Sequence, residues 1–82
     1  MLEKKSFLID KIYVPTKRGK TLDPDKVVAL AEDMLEHGQT TPIRLRPDGE
    51  RYVLIEGLHR LEALRALGEV TVEGYLVRAR LH

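Results

Sequence analysis

Apolar residues fall along the chain in blocks whose spacing switches between a strand period and a helix period. From Ser6 to Val14, the residues Phe7, Ile9, Ile12 and Val14 make the apolar members of a first strand. After Asp23 the period changes. Val27, Leu30, Ala31, Met34 and Leu35 recur at i, i+3, i+4, i+7 and i+8, a core stripe on a helix from Pro24 to His37. Asp23 is placed to cap that helix, Pro24 suits its first position and Gly38 ends it. Ile43-Arg-Leu-Arg46 alternates, with both arginines on one side. Pro47-Asp-Gly49 signals a turn that joins this strand, antiparallel, to the next. That next strand, Tyr52-Val-Leu-Ile55, is an uninterrupted apolar run of the kind covered on both faces. A second helix runs from Leu58 to Leu67 and stops at Gly68. The last strand covers Val70 to Leu81, with a bulge or bend expected at Gly74. The order β-loop-α-β-β-α-β predicts an α/β (α+β) fold. It is one small domain over residues 1–82, with a mixed sheet of four or five strands and two main helices.

The junction Ile55-Glu-Gly-Leu-His-Arg60 is where chemistry concentrates. A strand, a glycine and a helix start in direct succession leave free backbone N–H groups at the end of a sheet. The helix dipole adds positive potential there, so the junction suits an anion, and its geometry suggests phosphate. His59 and Arg60 lie in the first turn and supply further donors. At about 100° per residue, Leu61, Leu64 and Leu67 share one face, with Ala63 and Ala66 on its shoulder. Arg60 falls with Leu64 and Leu67, and His59 with Ala63 and Ala66, while Glu62 and Arg65 take the solvent face. An inward arginine needs a partner, either a bound anion or a carboxylate such as Glu56. His59 either joins it on the anion or packs. Leu58 is expected to project towards solvent at the mouth of the junction.

Composition narrows the classes. The 82 residues contain no cysteine, which excludes disulfides, thiolate metal sites and a cysteine nucleophile, and fits a reducing cytoplasm. No apolar run approaches the roughly 18 residues of a membrane span, and no signal-peptide pattern follows Met1, so no membrane partner is expected. Fourteen basic against thirteen acidic side chains leave a net charge of +1, so affinity for nucleic acid has to come from local clustering. One cluster is the Pro15–Thr21 loop, with Lys17, Arg18 and Lys20. It is either a solvated turn or a flap whose Lys17 or Arg18 reaches the anion. It lacks the glycine spacing and preceding strand of a P-loop. Glu32, Asp33 and Glu36 make the outer face of the first helix repel DNA. With Arg44, Arg46, Arg78 and Arg80 scattered and no basic helix, any DNA contact is expected to be weak, salt-sensitive and sequence-blind.

Taken together these motifs resemble the ParB/sulfiredoxin family, specifically its ParB-like nuclease domain. The likeness runs from about Phe7 to Val77. It comprises the first strand, the loop with Pro15, Lys17 and Arg18, and the helix ending at Gly38. Gly38-Gln-Thr-Thr-Pro-Ile-Arg-Leu-Arg46 is similar to the family's glycine-to-proline segment and the strand after it. Gly57-Leu-His-Arg-Leu-Glu-Ala63 stands where ParB proteins carry Gly-Glu-Arg-Arg-x-Arg-Ala and sulfiredoxins carry Gly-Cys-His-Arg. The resemblance implies a nucleotide, ATP or CTP with Mg2+, its phosphates on Gly57, Leu58, His59 and Arg60. It implies nucleoside contacts from Gln39, Thr40, Thr41 and Pro42, with Lys17 or Arg18 closing over the phosphates. Glu56 would be a magnesium ligand or Arg60's partner, and His59 and Glu56 are the candidates for catalysis.

The departures from the family carry weight too. Leu58 replaces the sulfiredoxin cysteine and removes sulfinic-acid reduction. Leu58 and His59 replace the Glu-Arg of ParB. The sequence also ends where ParB proteins continue into helix-turn-helix and dimerisation domains. Three classes follow: a ParB-type nucleotide-binding domain acting with or near DNA, with weak ATPase or nuclease activity; a phosphotransferase of the free serine kinase type; and a non-catalytic module binding a second copy or a larger protein. Glu56-Gly-Leu-His-Arg60 resembles the acidic-Gly-His-His-Arg motif of the second class except at Leu58.

Overall fold

The computed structural model describes residues 3–39 and 41–77. Its elements, in order, are β1 (Lys4–Leu8), a 3-10 turn (Ile9–Lys11), β2 (Ile12–Tyr13), α1 (Thr16–Gly19) and α2 (Pro24–His37). They continue with β3 (Ile43–Asp48), β4 (Arg51–Glu56), α3 (Leu58–Ala66) and β5 (Thr71–Leu76). The five strands form one mixed sheet in the order β1-β5-β3-β4-β2. β1–β5 and β3–β4 are antiparallel, and β3–β5 and β2–β4 are parallel.

That order explains why the predicted strand Ser6–Val14 is broken. Its first half pairs with β5 at one edge and its second half with β4 at the other, so no continuous strand serves both. The 3-10 turn makes the crossing, held by Ile9 N donating to Val70 O at 2.9 Å. One turn can bridge opposite edges only if the sheet curls. Accordingly Phe7 of β1 meets Tyr52 of β4 edge to face, ring centroids 4.9 Å apart.

α2 begins and ends as its caps dictate. The Asp23 side chain accepts from Asp25 N at 3.0 Å, and Gly38 N donates to Met34 O at 2.8 Å. Met34 is buried, and Val27, Leu30 and Ala31 pack against the core, but Leu35 is 74% exposed. Leu35 lies about 100° beyond Met34 on the helix, past the line that faces the core.

The described residues alter three further expectations. The Pro15–Thr21 loop contains the single helical turn α1. Pro47 lies within β3, opposite Tyr52, and the chain turns at Gly49 and Glu50 instead. No break occurs at Gly74. A Cβ there would stand 3.1 Å from both Ile43 Cγ1 and Ile43 O, so the glycine lets two strands approach closely. The predicted strand end beyond Val77, with Arg78 and Arg80, lies outside the described residues, as does Thr40.

Ile43, Leu45, Leu54, Leu61 and Val72 are fully buried and form the centre of the core. Leu58 joins them at 8% exposure, contrary to its expected place in solvent. A helical wheel treats the helix as lying on one flat surface, whereas the first turn of α3 is set into the end of the sheet. β4 is covered on both faces only at its middle: Val53 and Leu54 are buried, and Ile55 is 39% exposed. No described helix is long and apolar enough to cross a membrane.

Candidate functional site

At the β4–α3 junction, backbone conformation and packing both demand glycine. Gly57 has φ 112°, and a Cβ would fall 2.5 Å from Ile43 Cγ2 and 2.9 Å from Ile43 Cβ. This tight corner packs the start of α3 against Ile43, the first residue of β3. No side chain caps that helix, and its first turn holds no acidic residue. Its first intrahelical bond is Leu61 N to Gly57 O at 2.9 Å, which leaves the N–H groups of Leu58, His59 and Arg60 without helical partners. An uncapped helix start with adjacent cations attracts an anion.

A cleft of about 170 Å³ opens beside it, lined by Thr41, Pro42, Arg44, Glu56, Gly57, Arg60 and Tyr75. Arg60 is half-buried and makes no ion pair among the described residues. Glu56, its expected partner, pairs with Arg44 instead, at 3.6 Å. The cause is a bulge: Arg44 opposes Glu56 and Leu45 opposes Leu54, so Ile55 is an extra residue in β4 and Glu56 is turned to Arg44's side. Both side chains are more than half exposed, and such pairs contribute only about 0–1 kcal/mol. An arriving phosphate can therefore displace Glu56 from Arg44 at little cost.

The other expected site residues are placed differently. His59 points to α2, where its Nε2 accepts from Asp23 N at 2.9 Å. The accepting nitrogen must be unprotonated, so the neutral ring carries its proton on Nδ1. This arrangement makes Nδ1–H a donor and leaves no free lone pair for a general base. Gln39 is held by the backbone: its Oε1 accepts from Glu73 N at 2.8 Å, and its Nε2 donates to Glu73 O at 2.8 Å and Thr41 O at 3.0 Å. The amide thus stands in for a strand partner of β5 and is not turned to a ligand. Lys17 and Arg18 sit on α1 and do not line the cleft. Leu58 is buried in the core and does not line the cleft.

Two lining residues, Arg44 and Tyr75, were not expected. The alternation of β3 places Arg44 opposite the core face, but only the β3–β5 register, which pairs Arg44 with Tyr75, brings them together. Among the described residues no group of three or more His, Asp or Glu side chains could hold a metal. Among the described residues Glu56 is the one carboxylate that lines the cleft. Magnesium is often held by one or two carboxylates with the remaining ligands from substrate phosphate and water, and Glu56 fits that shared role. A larger hollow, about 470 Å³, lies between the C-terminal ends of α2 and α3 and β5. Among the described residues it is lined by Glu69 and Glu73 and by no cation, a lining that disfavours phosphate despite its size.

The model of the ParB N-terminal domain family matches residues 6–80. Among solved structures, sulfiredoxin from Arabidopsis thaliana superposes with a TM-score of 0.84 at 26% identity, over 94% of this chain and 86% of that one. The C-terminally truncated chromosome-partitioning protein ParB from Caulobacter crescentus, complexed with CTP-γ-S, gives 0.77 at 21% identity, over 98% and 46%. A free serine kinase variant in complex with AMP gives 0.79 at 20% identity, over 93% and 31%. The chain thus spans less than half of the ParB structure and about a third of the kinase. No curated protein matches it.

Proposed function

The chain belongs to the ParB N-terminal domain family, and from that premise we propose that it is a nucleotide-binding module that holds phosphates at the start of α3. One observation carries the reading: an uncapped helix start, a glycine corner and the unpaired Arg60 converge on one cleft. The similar structures that hold CTP-γ-S and AMP support it as analogues. A cleft of about 170 Å³ suits phosphate groups, since pockets for whole drug-sized ligands run to roughly 300–1,000 Å³. The nucleoside of ATP or CTP would therefore lie outside it, over Thr41, Pro42 and Tyr75. Mg2+ would bind Glu56 together with the phosphates and neutralise their charge, and Lys17 or Arg18 would reach the site only if α1 moves.

Binding is favoured over turnover. Phosphoryl transfer needs a group to orient the nucleophile, and the lone pair of His59 that could do so is engaged by Asp23 N. Leu58 stands in the core where related motifs carry a reactive or polar side chain, which argues against serine phosphorylation and sulfinic-acid reduction alike. Calorimetric titration with ATP, CTP and ADP, with and without Mg2+, tests the proposal. A charge-assisted bond from arginine is worth about 1.5–3 kcal/mol, so Arg60→Ala is expected to bind roughly ten- to a hundredfold more weakly with its fold intact. Absence of binding by the wild type, or equal affinity for the variant, would overturn it.

A further inference from the structure

β2, β3, β4 and β5 turn Ile12, Ile43, Leu45, Leu54 and Val72 to the core. Strand alternation therefore puts Tyr13, Arg44, Arg46, Val53 and Tyr75 on the opposite face. The register arranges them in two rows. Tyr75, Arg44 and Glu56 are neighbours across β5, β3 and β4, and Arg46, Val53 and Tyr13 are neighbours across β3, β4 and β2. The rows are two residues apart along β3, or about 7 Å, and the tyrosines are three strand spacings apart, or about 14 Å. The face is ordered: Val53 is 6% exposed although it lies outside the core cluster, and the Arg51 guanidinium sits 4.3 Å above the Tyr13 ring.

We propose that this face binds single-stranded nucleic acid. Tyr75 and the face of the Tyr13 ring turned away from Arg51 offer stacking surfaces to unpaired bases, and Arg44, Arg46 and Arg51 hold the backbone between them. Arg44 and Tyr75 also line the α3 cleft, so the track runs into the phosphate site. The strand's terminal phosphate or nucleotide would enter there. A duplex cannot use the tyrosines, because its bases are already stacked. Arg46 has no ion pair among the described residues, and Arg44 and Arg51 hold only exposed partners, Glu56 at 3.6 Å and Asp48 at 2.9 Å. A polyanion displaces those carboxylates, but their presence keeps the affinity modest and salt-sensitive.

The inference rests on the nucleotide reading only for where the strand ends, and one set of measurements separates the two. Fluorescence anisotropy of a labelled oligodeoxythymidine of about a dozen nucleotides is read beside calorimetry with ATP and CTP. Three neutralised phosphates predict a slope of log affinity on log salt of about −2, at roughly −0.7 per phosphate for single strands. Arg46→Gln and Tyr13→Leu lie outside the cleft and keep an aliphatic stem at each position beside Val53 in the register. Each is expected to weaken the oligonucleotide about five- to tenfold, Arg46→Gln to reduce the slope by about 0.7, and neither to change ATP or CTP affinity. If the oligonucleotide does not bind, prefers a duplex, or binds both variants like wild type, the inference is wrong whatever the mononucleotides do. If it binds with these losses while ATP and CTP do not bind, the strand reading stands and the nucleotide reading falls.

Discussion

Gly57 combines two constraints that are usually met separately. Its φ of 112° is unfavourable for any side chain, and Ile43 already fills the space a Cβ would take. Strain at such a backbone costs on the order of 1–3 kcal/mol and overpacking a similar amount. Gly57→Ala is expected to lose about 2–5 kcal/mol of stability in urea unfolding; a loss below about 1 kcal/mol would mean that the corner relaxes. His59 makes a different case, because its importance to the fold precedes any ligand. Removing it leaves the part-buried Asp23 N–H without its acceptor, which costs about 1–3 kcal/mol. His59→Ala should therefore be destabilised by that much without nucleotide present, and His59→Gln, which keeps an acceptor oxygen, by roughly half. Equal losses for the two would show that ring packing, and not the hydrogen bond, is what matters.

Among the elements, α2 and β5 show two ways of ending order in a small chain. α2 is bounded by its own neighbours, the Asp23 cap and Gly38, so Asp23→Ala is expected to cost about 1 kcal/mol. The first part of β5 has no strand partner on its β3 side, since the β3 pairing starts at Gly74, and Gln39 supplies one through its side-chain amide. Three hydrogen bonds at about 1 kcal/mol each predict a loss of roughly 2–3 kcal/mol for Gln39→Ala. Gln39→Glu should be worse than alanine, because a carboxylate oxygen would replace the Nε2 donor opposite two carbonyls. Thermal unfolding of the pair checks this, and a glutamate variant more stable than the alanine one would contradict the clamp.

Taken as one body, the curled sheet gathers Arg44, Glu56 and Arg60 at the end of β4 and places few other groups for chemistry there among the described residues. Among the described residues the cleft brings together two arginines, a helix start and a single carboxylate, and the histidine beside it is committed to Asp23. Steady-state phosphate release from ATP or CTP is therefore expected to be slower than about 1 s⁻¹, the lower end of typical enzyme rates. Faster release, abolished in both His59→Ala and Glu56→Gln, would make this a catalyst and not a binding module.

The bounds of α2, a turn close to the end of β3, the glycine at the corner and the helix start that follows it could all be read along the chain. Each depends on neighbours a few residues apart: a cap, a period, a turn residue. What could not be read depends on partners far apart in sequence. His59 finds Asp23 36 positions away and Gln39 finds Glu73 34 positions away, so two expected ligand contacts belong to the fold instead. Arg44 meets Tyr75 only because β3 and β5 run parallel side by side, and it meets Glu56 only because Ile55 bulges. The break between β1 and β2 has the same origin, since no local signal says that the two halves of one apolar run serve opposite edges of a sheet. Local sequence selects backbone conformation, whereas register and curvature, which emerge when the sheet closes, select which side chains share a site.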